Sequence, residues 1–303
     1  MIVSKTVLSR KSIQRVRERI IESILFLAAL SSVLTTFAIA GVLIYESIPF
    51  FQHVSIIDFL TDTQWTPLFD DAHYGIMPLV AGTLVTTTVA LSVAIPLGTI
   101  IAIYLSEFAP HKVRELVKPF LELLGAVPTV VFGYFALILV TPLLQKLIPG
   151  LPGFNMLSAG LVMGVMIIPY VSSVSEDAMR AVPMHIREGS YAMGATRFQT
   201  AIRVVVPSAF SGIAAAYILG ISRAIGETMI VAVAAGMQPN FTLNPMEPAA
   251  TISSYIVQVS LGDLPHGSIG YQTIFAAGLT LMLMTLGFNI AGYFLKKRVR
   301  EVY

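Results

Sequence analysis

The sequence predicts an all-α integral membrane protein of six transmembrane helices. Three observations carry that expectation. Of the 303 residues 55% are hydrophobic and only 12% charged, about half the charge usual for a soluble protein. Six stretches are long and apolar enough for a bilayer core that needs roughly 20 residues per helix. The basic residues fall almost entirely into alternate connections. The composition excludes an ordinary globular enzyme, a disordered chain and a nucleic-acid binder with a basic face. There is no cysteine, so disulfides, thiolate metal sites and thiol nucleophiles are excluded together.

The expected spans run in order. Residues 23–45 and 77–105 contain no charge, and 119–147 contains only Glu122 and Lys146. Residues 157–175 are clean and lead into Glu176 and Asp177; 204–236 carries Arg223 and Glu227; 271–295 is clean again. The first is too long for a signal peptide and has no small-residue cleavage site behind it. The chain divides into an N-terminal segment (1–19), a first transmembrane helix (20–45), an outer loop (46–76), a five-helix core (77–295) with an inner loop at 180–203, and a C-terminal tail (296–303).

Orientation follows the placement of Lys and Arg. Lys5, Arg10, Lys11, Arg15, Arg17 and Arg19 precede the first span. Lys112, Arg114 and Lys118 lie between the second and third, and Arg180, Arg187, Arg197 and Arg203 between the fourth and fifth; Lys296, Lys297, Arg298 and Arg300 follow the last. The opposite connections carry acids alone: Glu46, Asp58, Asp62, Asp70, Asp71, Glu247 and Asp263. Both termini are therefore expected in the cytoplasm.

In the outer loop, Trp65 and its aromatic neighbours read as interface anchors or as a docking surface. Residues 249–261 are expected as a short amphipathic helix across the outer face. His53, His73, His111, His185 and His266 lack metal-ligand spacing, so no metal site is expected. Gly and Pro recur inside the spans, a pattern that serves close helix packing and also builds the broken helices of transport sites. No internal repeat is evident, which speaks against a secondary carrier.

The inner loop is built like two short helices. Pro183 can open the first, Gly194 stops it, and Thr196 caps a second with Phe198 and Ile202 on one face. Its spacing carries a resemblance. Glu188-Gly189-Ser190, then Gly194, nine residues, and Val204-Val-Val-Pro207 resembles the EAA loop of ABC importer permeases, with Gly-Ser replacing the two alanines and valines replacing Ile and Leu. The resemblance implies the type I importer permease (MetI-like) fold. It also implies coupling to a separate ATPase through Arg187, Glu188, Gly189, Ser190, Gly194, Ala195, Thr196 and Arg197. None of the seven Lys follows a Gly, so the chain has no P-loop and ATP-Mg belongs on the partner ATPase. No cofactor is expected on this chain, and the nearest serine-hydrolase lookalike, Gly220-Ile-Ser222, lacks its second glycine.

Arg223 and Glu227 sit four apart, hence on one face of a continuous helix. Arg223 falls about 5 Å beyond the middle of 203–236 and Glu227 about 6 Å further. Charges at that depth cost about 2.5–3.5 kcal/mol each and usually serve function. They could form a structural ion pair, line a substrate path, or do both in turn. The surrounding Ser222-Arg-Ala-Ile-Gly-Glu-Thr-Met229 resembles the signature of phosphate importer permeases. Tyr104-Leu-Ser-Glu-Phe-Ala-Pro110 and Glu122-Leu-Leu-Gly-Ala-Val-Pro-Thr-Val-Val-Phe-Gly133 are similar to that family's PstC type. The resemblance implies a phosphate path through Arg223, Glu227 and Thr228. Glu122 is a further candidate, equally readable as a structural partner.

It also implies a heterodimer with a PstA-like permease, a PstB-like ATPase, a PstS-like extracytoplasmic phosphate-binding protein and a place in the prokaryotic inner membrane among lipid, with no nucleic acid. The alternatives are a permease for sulfate, molybdate or a phosphonate and, in a different class, an ATP-independent channel or carrier. The chain is expected to have no catalysis of its own.

Overall fold

A computed structural model describes residues 3–67, 69, 71–262, 264, 265 and 267–298. Asp70, Asp263, His266 and Arg300 lie outside the described residues, as do the side chains of Lys5, Arg10, Lys11, Lys296 and Arg298. The described residues are almost wholly helical: α1 (Val3–His53), α2 (Ile56–Thr61), α3 (Met77–Ile103), α4 (His111–Ala126), α5 (Thr129–Phe135), α6 (Thr141–Leu147), α7 (Met156–Arg180), α8 (Met184–Ala192), α9 (Arg197–Thr200), α10 (Val206–Ser208), α11 (Phe210–Ile225), α12 (Met229–Ala234), α13 (Ile252–Ser260) and α14 (Ile269–Arg298). π-helical turns at Tyr104–Phe108, Ala136–Val140 and Ala201–Val205 extend α3, join α5 to α6, and lead α9 into α10.

Among the described residues five helices are long and apolar enough to cross a membrane, or six if Arg197–Ser208 and Phe210–Ile225, bent by 72°, form one span. α7 lies at the centre, with 67% of its apolar window buried. α1 is peripheral; its apolar window is 0% buried, and it packs on α14. Five of the six expected spans therefore correspond to helices, the fifth in order falls on the bent pair and α12, and two boundaries move. The third begins at Thr129, not at 119. Val127 precedes Pro128, whose ring disfavours helical backbone at the residue before it, and Val127 is extended. The preceding segment belongs to α4, an amphipathic helix with no buried residue. The fifth span is not one rod over 204–236, because it bends at Ala209 and breaks again after Ile225.

The central contact, α3 against α7, is made by glycines. A Cβ at Gly160 would stand 2.7 Å from the Val89 Cβ, and one at Gly164 only 2.7 Å from the Ala90 carbonyl oxygen. These two, one turn apart, let the backbones approach as small residues do in membranes, where packing rather than water drives association. Around them Ala90, Ala94, Met163, Met166, Ile167 and Val171 form the core. Gly164→Leu is expected to destabilise the bundle by about 1–3 kcal/mol through overpacking. Thermal unfolding of the purified chain in detergent would show the lower midpoint.

At the end that the charge pattern assigns to the outside, a second core corrects the reading of Trp65. The indole is 1% exposed, edge-on to Tyr255 at 5.1 Å between ring centres and to Phe59 at 6.3 Å. It is neither an interface anchor nor a docking residue. The segment from Gln64 to Gly75 folds back on itself through Thr66 N–H to the His73 carbonyl (2.8 Å) and Gly75 N–H to the Gln64 carbonyl (2.9 Å). Gly75 must be glycine there, since a Cβ would lie 2.1 Å from the Asp62 carbonyl oxygen. The helix expected at 249–261 is α13, but it does not lie across the outer face. Thr251 caps it, Ile252, Tyr255 and Val259 are buried, and it packs against α14, α3 and α12.

His73 bridges this segment to Asp62, Nδ1 to Oδ2 at 3.0 Å, with Asp71 at 3.7 Å from Nε2. The hydrogen bond with Asp62 holds the His73 pKa above its ordinary 6.5. Burial pulls Asp62 upward, but hydrogen bonds from Gln64 and His73 outweigh it and leave its pKa below 3.8. A raised histidine stabilises below its unfolded pKa and loses that contribution as pH climbs through the folded value; a lowered aspartate loses its contribution on acidification. The bridge is therefore complete between 3.8 and 6.5. Hydrogen-exchange protection of the Thr66 and Gly75 amides should fall as pH climbs above 6.5 and through the raised folded value of His73, beyond the intrinsic rate change, and His73→Gln should remove that extra dependence.

Candidate functional site

The second break in the fifth span creates the first site. α11 ends at Ile225, and α12 starts at Met229. Glu227 stands in the gap and is 4% exposed. Its Oε1 accepts from Met229 N–H at 3.1 Å and Ile230 N–H at 3.4 Å, two of the orphan donors that open a helix. Its backbone carbonyl accepts from the Ser253 hydroxyl at 2.7 Å, which ties the gap to α13. The other carboxylate oxygen is 3.7 Å from Arg223 Nη2. Arg223 is more open, with its side chain 40% exposed, and its guanidinium lies 5.9 Å from the Tyr170 ring centre on α7.

The sequence expected this pair on one face of a continuous helix. The structure brings the two together across a broken one, and that difference explains how a buried carboxylate is satisfied. Thr228 is at the same gap, its hydroxyl donating to the Gly226 carbonyl at 3.3 Å. Glu122 is elsewhere, exposed on α4.

The second site is the segment from Met184 to Val205. α8 opens after Pro183 and ends where Gly194 takes φ +83°, a left-handed conformation that glycine adopts without strain. Thr196 then caps α9 in a reciprocal box with Gln199. Glu188, Gly189, Gly194, Thr196 and Arg197 are exposed, with Ala195 half-buried. Ser190 is half-buried, its hydroxyl 2.9 Å from that of Thr200.

Arg187 departs from this exposed set and corrects the expectation that it faces a partner. It is only 9% exposed. Its Nη2 donates to Glu107 Oε1 at 2.9 Å and to the Met179 carbonyl at 2.8 Å, its Nε to Glu107 Oε2 at 3.3 Å, and its Nη1 to the Val182 carbonyl. α8 is thereby pinned to the end of the second span. A companion anchor holds α4. Glu176, 0% exposed, meets Arg114 Nε at 2.8 Å, Lys118 Nζ at 2.9 Å and Arg180 Nη1 at 3.7 Å. Sequence reading passed over Glu107 and Glu176. The one available signal was the position of each acid at the end of an apolar stretch.

A bundle of membrane helices with one broken span holding an ion pair, and an exposed helix-glycine-helix at one end, defines a polytopic transport protein. The family of binding-protein-dependent transport system inner membrane components matches residues 94–301. The chain belongs to that family and is an ABC importer permease subunit, a transport component rather than an enzyme, of the prokaryotic inner membrane.

It is 36% identical to the probable ABC transporter permease YqgH of Bacillus subtilis over 81% of this chain and 79% of that protein. Against the phosphate transport system permease PstC of Mesorhizobium japonicum it is 32% identical over 79% and 78%. Against PstC 1 of Mycobacterium tuberculosis it is 33% identical over 80% and 82%. Among solved structures, a bacterial alginate ABC importer matches with a TM-score of 0.64 at 18% identity, covering 95% of this chain and all of that one. The MetNI methionine transporter matches at 0.55 and 18%, covering 75% and 95%. At such identity these likenesses establish the MetI-type fold.

Proposed function

We propose that this chain is the PstC-type permease subunit of an ATP-driven phosphate importer. It forms half of the translocation path with a PstA-like second permease. A PstB-like ATPase dimer, carrying the ATP-Mg, engages the segment from Met184 to Val205, and a PstS-like binding protein delivers phosphate on the outside. Both termini are then cytoplasmic, as the basic residues ask.

The observation that carries the reading is the Arg223–Glu227 pair at the break of the fifth span. Dehydrating an anion in hydrocarbon demands a cationic donor, and guanidinium offers paired hydrogen bonds to a tetrahedral oxyanion. Hydrogen phosphate also keeps a proton near neutral pH that a carboxylate can accept, which sulfate lacks. Arg223 receives the anion, while Glu227, already capping α12, accepts the anion's hydroxyl or holds Arg223 between cycles. The relatives named for phosphate transport support this chemistry.

Uptake into proteoliposomes containing the four-part assembly tests it. Phosphate should accumulate only with internal ATP and the binding protein, and excess sulfate or molybdate should not compete. Competition by those anions would move the assignment to another oxyanion. Accumulation without ATP under an ion gradient would replace the class altogether.

A further inference from the structure

A cavity of about 390 Å³ opens at the end of the bundle where the second and fourth spans finish, and its wall includes Ser106, Glu107, Arg114, Arg180, Arg187 and Arg197. Four guanidiniums meet there with one carboxylate in the wall and a second, Glu176, behind it. Glu107 is taken by Arg187, and Glu176 is shared among Arg114, Lys118 and Arg180. Arg180 reaches Glu176 only at 3.7 Å with its side chain 43% exposed. Arg197 has no carboxylate within ion-pair distance among the described residues; its guanidinium lies 5.5 Å from the Phe108 ring centre. Positive charge is thus in excess on a concave surface. Two of its donors are open, one of them already held against an aromatic ring.

We propose that this cavity binds a phosphate-type oxyanion from the cytoplasmic side, either free phosphate or the phosphate of an anionic lipid headgroup. Arg197, steadied on Phe108, presents its N–H edge to the oxyanion and Arg180 supplies the second fork, while the Ser106 hydroxyl in the same wall is committed to Glu107. Planar forked donors of this kind recognise phosphate oxygens in pairs.

Position gives the site its consequence. Arg197 belongs to α9, just beyond the Gly194 turn, whereas Arg114 and Arg180 belong to α4 and the end of α7. An oxyanion held between them ties the exposed segment to the spans and resists their relative movement, so occupancy slows the transport cycle. That consequence, though not the binding, rests on the segment's proposed contact with an ATPase.

The assembly in phosphatidylcholine nanodiscs, carrying Arg223→Gln to silence the transport path, distinguishes the sources. Thermal shift is read against inorganic phosphate, and native mass spectrometry counts phosphatidylglycerol retained when that lipid is added. A phosphate-dependent shift whose apparent affinity falls about tenfold or more with Arg197→Gln establishes a free-anion site. Retained phosphatidylglycerol that Arg197→Gln and Arg180→Gln both release establishes a headgroup site. If neither substitution alters the response to either probe, the proposal is overturned and a partner chain fills the wall. Phosphate uptake by the Arg223-intact assembly is measured separately, so failure of the transport reading would leave this result standing.

Discussion

If the chain carries phosphate as proposed, Arg223→Gln is expected to lower ATP-driven uptake by about two orders of magnitude, while the protein still assembles in the membrane. The magnitude follows from the donors removed. A hydrogen bond to a charged group contributes about 1.5–3 kcal/mol, so losing a paired set costs some 3 kcal/mol or more, and each 1.36 kcal/mol is tenfold in rate. Assembly survives because Arg223 does not hold the break together. Glu227 keeps its bonds from Met229 and Ile230 N–H and its carbonyl keeps Ser253, and the contact to Arg223 is a long 3.7 Å.

Arg223→Lys separates charge from geometry. Lysine keeps the positive charge but presents a point rather than a fork, so partial uptake with a raised KM is expected. Glu227→Ala makes the contrast, since it removes the acceptor from the start of α12 and should cost about 1 kcal/mol of stability as a lost cap, besides any transport role. Initial uptake rates at saturating binding protein, beside the quantity of assembled complex, check all three. Normal uptake by Arg223→Gln would remove the guanidinium from the path.

Much of this architecture was legible because its causes are local. Helix length and hydropathy are properties of contiguous residues, and five of the six apolar stretches contain a helix long enough to cross, the other falling on the bent pair. The Gly194 stop and the Thr196 cap were readable for the same reason, as each depends on a side chain three residues away or on one backbone angle. What escaped depends on partners distant in sequence. Trp65 looked like an interfacial ring because nothing nearby announces Tyr255. Arg187 looked like a solvated loop arginine, but its carboxylate is 80 residues upstream. The fifth span was read as continuous, whereas the Ser253 hydroxyl that meets the Glu227 carbonyl at the opening comes from α13, 26 residues downstream. The string around Arg223 and Glu227 singled these residues out through resemblance alone, and the way their charges are satisfied came from the fold.

Arg187→Met is expected both to destabilise the protein and to weaken coupling to the proposed ATPase, and the two effects can be told apart. Removing the guanidinium strands Glu107, 7% exposed, with the Ser106 hydroxyl at 2.8 Å as its remaining side-chain partner. Breaking one half of a buried pair costs about 3–5 kcal/mol, so Arg187→Met should lower both the thermal midpoint and the yield of complex. Replacing both members together, Arg187→Met with Glu107→Leu, buries no unpaired charge and should return most of the stability, as apolar substitutes for buried pairs commonly do.

Coupling need not return with it. The fork from Arg187 grips Glu107 at the end of the second span, and also the Met179 and Val182 carbonyls where the fourth span finishes. α8 is thus rigidly joined to both helices of the central glycine contact. Movement of α8 would pass through that fork into α3 and α7, and from α7 to Arg223 by way of Tyr170. In the double variant a directionless apolar contact replaces four hydrogen bonds, so phosphate transported per ATP hydrolysed should fall several-fold at near-normal stability. A double variant with both the stability and the wild-type ratio restored would show that the pair only holds the fold. Restored stability with a depressed ratio would make it the link between the exposed segment and the path.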